Sequence, residues 1–71
     1  MIRPVFEKTL VREGEVRSFQ ICVGPDGWEV SEKDDQKIAR HHHADWHHVE
    51  RTLMRFDDEI AALRLQGWLE A

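Results

Sequence analysis

Cysteine, proline and long apolar runs are scarce in this sequence. Cys22 is the only cysteine, so no disulfide can form within the chain, and secreted domains this small normally need such bonds. No apolar run approaches the ~18 residues that span a bilayer, and the chain does not open with a signal-peptide pattern. We therefore expect a cytoplasmic protein that has no membrane segment.

The chain also lacks an excess of basic residues. Ten Lys and Arg residues stand against 14 Asp and Glu residues, which gives a formal net charge of −4. Nucleic-acid binding needs clustered positive charge, so this balance disfavours it. Hydrophobic residues make up 41% of the 71 residues, which is typical of a globular chain, and the length allows one hydrophobic core. We predict a single domain over residues 1–71.

The first half of the chain has the alternation of β-strands. Val5–Val11 and Val16–Val23 are predicted to form a hairpin that turns at Glu13 and Gly14. In the second strand, Phe19, Ile21 and Val23 share one face and should point to the core. The sequence from Gly24 to Gly27 predicts a second turn, and Trp28 and Val30 then mark a third strand on the same buried face. A fourth strand over Gln36–His42 rests on Ile38 alone.

The second half has helical periodicity. Apolar residues recur at intervals of three and four, which places them in one stripe along an α-helix: Trp46, Val49, Leu53, Phe56, Ile60 and Leu63. Asp45 is a suitable N-cap, and Gly67 followed by Trp68 suits a Schellman motif at the other end. We predict a helix from about Trp46 to Gln66.

Together these elements predict an α+β fold. A three- to four-stranded antiparallel β-meander, over about residues 2–42, should be covered on one face by a single long C-terminal α-helix, over about residues 45–66. The helical stripe and the apolar sheet face each need the other for burial.

Five histidines lie on either side of the predicted helix start. In an extended segment His41 and His43 point to the same side, a spacing that can chelate a metal ion, and Asp45 or His47 could add a third ligand. The hypothesis is therefore a metal site formed by His41, His43 and His47. The alternative interpretation is a solvated strand-to-helix junction, in which Asp45 acts as the cap. A third is a pH-responsive junction, because protonation of His47 or His48 opposes the helix dipole.

A second, smaller apolar arc on the predicted helix contains Met54, Ala61 and Leu65. If it is exposed, this arc is an interaction surface that can bind a copy of itself. The alternative is that these residues pack against the sheet edge or the N-terminal strand.

The sequence predicts no enzyme and no cofactor. Asp57, Asp58 and Glu59 are consecutive, so on a helix they point in different directions and cannot act on one substrate. Cys22 has no histidine or carboxylate at a spacing that predicts activation, and no glycine-rich phosphate loop is present. Weak nucleic-acid binding through the open sheet face is a further alternative; the residues expected there are Arg17 or its neighbours, Ser18, Gln20, Ser31, Lys33 and Lys37.

The residues from Gly27 to Val30, the Asp45–Trp46 helix start and the closing Gly67–Trp68 pair resemble small bacterial proteins of unknown function that place strands before one helix. They are also similar to WGR-type domains, although the Trp-Gly-Arg triplet of that family is absent. WGR-type domains bind nucleic acid or partners, but without the triplet neither that ligand nor any functional residue is carried over to this chain. The function expected from the residues themselves is protein interaction with an unknown partner or by self-association, with metal or pH response through His41–His48 as the main alternative.

Overall fold

The computed structural model describes residues 3–71, which form five β-strands and one α-helix. The elements are, in chain order, β1 Arg3–Arg12, β2 Glu15–Gly24, β3 Gly27–Lys33, β4 Ile38–His43, α1 Trp46–Leu65 and β5 Leu69–Glu70. All strand pairs are antiparallel, and the strand order across the sheet is β4-β3-β2-β1-β5. The α+β class is confirmed, and the fourth strand forms.

Each of the three hairpins closes through a short turn. Glu13 and Gly14 both have positive φ angles, 50° and 83°, which is the backbone that a two-residue hairpin turn needs. Gly24 pairs with Gly27 across the second turn. In the third turn the Asp34 carboxylate accepts from the backbone N–H groups of Gln36 and Lys37, at 2.8 and 3.0 Å.

The core joins the sheet to the helix. Its buried residues come from β1 to β3, from α1 and from the segment after the helix: Leu10, Phe19, Ile21, Val30, Val49, Phe56, Ile60, Leu63 and Trp68. The ring centroid of Phe56 lies 5.0 Å from that of Phe19 and 6.2 Å from that of Phe6, so one helical side chain contacts two strands.

Most of the predicted core is confirmed, and the structure differs from the prediction in how far some of its residues are buried. Val23 and Trp28 are only half-buried, because both lie at the end of the hairpin where the helix begins. Trp46 is 44% exposed: it is the first residue of α1, and the aromatic ring it contacts is Trp28, at a centroid distance of 5.6 Å. Leu10 is fully buried although its strand was predicted without an assigned core face.

Both predicted caps of α1 are present. The Asp45 carboxylate accepts from the backbone N–H of His47 at 2.8 Å. At the C-terminus the Trp68 N–H donates to the Leu63 carbonyl and the Gly67 N–H to the Arg64 carbonyl, at 3.0 and 3.1 Å, which is the Schellman pattern. Gly67 has the positive φ that this motif requires, 96°, and Gln66 is the C-cap, so the helix ends one residue earlier than predicted.

The fifth strand was not predicted. After Gly67 the chain turns back beside β1, where Leu69 pairs with Val11 and Glu70 with Leu10. A two-residue strand has too few positions to show alternation, so its pairing depends on where the helix delivers the chain. Within residues 3–71, no helix combines the length and the apolar character needed to cross a membrane.

Candidate interaction surfaces

Three histidines, His41 to His43, lie on alternating faces of β4, and two, His47 and His48, lie on different sides of the first turn of α1. His41 and His43 point to the same face, as predicted, since they pair with Val30 and Trp28, both residues of the core-facing side. The ring that stacks on His43 belongs to His48, at 5.6 Å between centroids and 8° between planes. His42 lies on the opposite face of β4.

The three predicted metal ligands, His41, His43 and His47, are not brought together as one group in the part of the chain that the structure describes. No group of three or more His, Cys, Asp or Glu side chains within residues 3–71 is placed to hold a metal ion. The Asp45 carboxylate, the other candidate ligand, is used as the N-cap. Parallel stacked rings present their faces to each other, whereas metal binding needs ring nitrogens that converge on one point.

The apolar arc of α1 is exposed. Met54 is 63% and Leu65 91% exposed, and Ala61 is exposed as well. Packing of these residues against the sheet edge or the N-terminal strand, the alternative raised from the sequence, is therefore wrong. The reason is angular: at 100° per residue, these three positions lie on the side of the helix opposite Val49, Phe56 and Ile60, which are buried.

This exposed side of α1 carries a complete second stripe, which we call the outer stripe. Its six residues follow one another at intervals of alternately four and three positions, and all six are exposed: His47, Arg51, Met54, Asp58, Ala61 and Leu65. Such alternation is the pattern of residues that face a partner in paired helices. None of its charged members forms an ion pair within the described chain, where the ion pairs are made by other residues.

The open face of the sheet is polar and balanced in charge. Its central groove is lined by residues from all four long strands: Glu7, Thr9, Ser18, Gln20, Ser31, Lys33, Ile38 and Arg40. The Gln20 amide donates to the Glu7 carboxylate at 2.6 Å, and the Thr9 and Ser18 hydroxyls are 3.4 Å apart.

Of Arg17 and its neighbours, one of which was expected on this open face, Ser18 lies there and Arg17 does not. Its guanidinium lies on the helix side, 3.7 Å from the Glu59 carboxylate and 5.5 Å from the centre of the Phe19 ring. Arg17 follows the alternation of β2, which places it on the same face as the buried Phe19. The open face thus has less positive charge than the sequence suggested.

A four-residue ion cluster joins α1 to β2 and β3. Arg55 donates to Glu32 at 3.0 Å and to Glu59 at 2.9 Å, and Arg17 approaches both carboxylates. Burial raises the pKa of Glu59, and the neighbouring Glu32 carboxylate raises it further, while the two arginines oppose the shift. Each carboxylate has an arginine partner, and the cluster links the helix to the sheet through partly exposed ion pairs.

The sequence indicates no residue that would activate the Cys22 thiol as a nucleophile. Burial raises the pKa of its thiol, and the negative charges of Glu29 and Glu7 raise it further. A thiol with a raised pKa is protonated at neutral pH and is a poor nucleophile.

Comparison of the chain with protein-family models, curated proteins and solved structures finds no match. The similarity to WGR-type domains therefore remains a prediction that rests on the residues quoted for it.

Proposed function

We propose that this protein acts by protein association rather than by catalysis, and that the outer stripe of α1 binds a second copy of the chain. In this proposal α1 covers one face of the sheet with its buried stripe, so its other side is free for a partner. The observation that carries the proposal is the exposure of Met54, Ala61 and Leu65 in one line opposite the core.

The charges within the outer stripe favour a second copy as the occupant. In an antiparallel pair of helices whose two-fold axis passes near Met54, Arg51 of each copy lies opposite Asp58 of the other. Two ion pairs then flank a central Met54–Met54 contact, and the small Ala61 allows the helices to approach closely. Charged residues within a helix–helix seam lower affinity but select register and orientation. The stripe is thus complementary to itself in the antiparallel orientation.

Exchange of the two charges tests this arrangement. Sedimentation velocity over a wide concentration range should show reversible dimerisation of the unmodified protein. Arg51→Asp and Asp58→Arg should each weaken it, by about tenfold or more, because like charges then meet on both sides of the axis. The double variant should dimerise again, and an equimolar mixture of the two single variants should form a heterodimer.

Asp26→Arg is the matched control, because it makes the same charge change in the exposed β2–β3 turn. It should leave dimerisation unchanged. A protein that sediments as a monomer at every concentration, or a double variant that stays monomeric, would contradict the proposal.

Metal response is not proposed, since the predicted ligands are not brought together. Nucleic-acid binding is disfavoured by the position of Arg17 and by the carboxylates Glu7 and Glu29 on the open sheet face.

A further inference from the structure

The two edges of the sheet differ in how far they are protected. On the β1 side, β5 covers Leu10 and Val11, and the Ala71 N–H donates to the Thr9 carbonyl at 2.9 Å. The rest of that edge contains Pro4, which has no N–H, and a register shift between Pro4 and Phe6. Proline and bulges are the usual means by which an edge strand avoids pairing with another chain.

The β4 edge has neither device. β4 is a continuous six-residue strand, paired residue for residue with β3, and it contains no proline and no bulge. It is the last strand in the sheet order on that side, so one row of its backbone groups has no partner in the described chain. This row can pair with an extended segment.

The β3–β4 turn shows which residues supply that row. The Asp34 N–H donates to the Lys37 carbonyl at 3.0 Å, so this pair is of the hydrogen-bonded kind. Because bonded and non-bonded pairs alternate in an antiparallel ladder, Ala39, His41 and His43 turn their backbone groups to β3. Ile38, Arg40 and His42 therefore direct theirs outward.

The charges around this edge indicate what binds there. Residues 37–43 contain Lys37, Arg40 and three histidines, and no carboxylate. The nearest acidic residues along the chain are engaged with backbone: Asp34 accepts from Gln36 and Lys37, and Asp35 accepts from the Val16 N–H at 3.3 Å. With the histidines neutral, as in the net charge of −4, the cations at this edge are Lys37, Arg40 and Lys33 of β3, and they outnumber Glu29, which faces β4 on the open side through its pairing with His42. This edge is therefore locally positive.

A second copy of β4 is a poor occupant of this edge. If two β4 strands paired in the antiparallel sense about Arg40, the two Arg40 side chains would lie opposite each other, and like charges on neighbouring strands are destabilising. A segment that carries Glu or Asp at alternate positions would instead place its carboxylates directly beside Arg40 on the open face, with Lys33 one strand further in on the same face.

We propose that β4 is a docking edge that binds an extended acidic segment of another protein as an added β-strand. The backbone groups of Ile38, Arg40 and His42 supply the hydrogen bonds, and Lys33, Lys37 and Arg40 select for negative charge. This surface is separate from the outer stripe of α1, and neither proposal depends on the other.

The probe is a capped peptide of alternating valine and glutamate, as long as β4, with a valine–lysine peptide of equal length for comparison. Calorimetry with the unmodified protein should detect the glutamate peptide only. In hydrogen exchange, the bound peptide should slow the backbone amides of Ile38, Arg40 and His42. This readout requires no substitution, so it does not depend on a variant that folds.

Two substitutions of Arg40 separate the contribution of its charge to peptide binding from that of its backbone N–H. Arg40→Ala keeps the outward N–H and loses the charge, and should weaken peptide binding by about tenfold. Arg40→Pro also loses that N–H, which β3 does not use, and should weaken binding further while the sheet stays folded. Equal binding of the two peptides, absence of binding, or protection elsewhere than at these three amides would overturn the proposal.

Discussion

Gly27 shows how strongly a single residue can limit this small sheet. Its φ angle is 130°, and a Cβ built at this position would lie 2.6 Å from the backbone carbonyl oxygen of His43. That oxygen belongs to β4, so a side chain here would push the third hairpin away from the second. The sequence around Gly27 predicts a turn, and the structure adds a close backbone approach that no local pattern shows.

Gly27→Ala should therefore destabilise the protein more than Gly14→Ala. Both glycines have positive φ, but a Cβ at Gly14 meets nothing within 4 Å. We expect a loss of about 1 kcal/mol in the free energy of unfolding for Gly14→Ala, from backbone strain alone, and about 3 kcal/mol for Gly27→Ala. Urea denaturation of both variants measures the difference, and equal losses would show that β4 moves aside without cost.

At the scale of elements, the β3–β4 turn gives stability that depends on pH. Hydrogen bonds from the backbone N–H groups of Gln36 and Lys37 lower the pKa of Asp34. An acid whose pKa is lower in the folded state stabilises the fold above its unfolded pKa, and this contribution is lost as the pH falls through the folded value. Asp34 lies in a surface turn and is partly exposed, so solvent screens the effect.

Asp34→Asn should accordingly be less stable than the unmodified protein at pH 7, and the difference should shrink as the pH falls below the ordinary aspartate pKa of 3.8. Asparagine can still accept both N–H groups, so the variant removes mainly the charge. Urea denaturation across this pH range is the measurement. Asp57→Asn, at an exposed helix position, is the control, and a stability difference at Asp34 that does not change with pH would contradict the argument.

Elements with long periodic patterns could be predicted from the sequence, and short or contextual ones could not. The helix, its Asp45 and Gly67 caps and the first hairpin follow from local rules, and all are present. β4 was predicted from little more than Ile38, yet the turn at Asp34 secures its pairing with β3. β5 depends on the helix carrying the chain across the sheet, which is tertiary information.

The histidine site shows the corresponding limit for function. Side chains alternate between the two faces of an extended strand, and this rule correctly placed His41 and His43 on the same face of β4. Which helical histidine meets them depends on the rotation of α1 about its axis, and the core residues Val49 and Phe56 set that rotation so that His48, not His47, stacks on His43. Spacing alone carries no information on this rotation.

For the whole molecule, Trp68 joins the end of the helix to the last strand and is only 6% exposed. Proteins of this size have about 0.05–0.15 kcal/mol of stability per residue, so the loss of one large core side chain removes much of the total. Trp68→Ala should lower the free energy of unfolding by about 3–5 kcal/mol, and Trp46→Ala, at the half-exposed helix start, by about 1 kcal/mol. Chemical denaturation compares them, and similar losses would mean that Trp68 is not part of the core.

The pairing of β5 with β1 also has a consequence for how the chain folds. The first four strands join through turns of two to four residues, so their contacts are local and the meander can form quickly. The contact between Leu10 and Glu70 instead closes a loop of almost the entire chain, and that closure carries the largest entropy cost. The last strand should therefore dock after the rate-limiting step of folding. The interactions of β5 should then slow unfolding and have little effect on the folding rate.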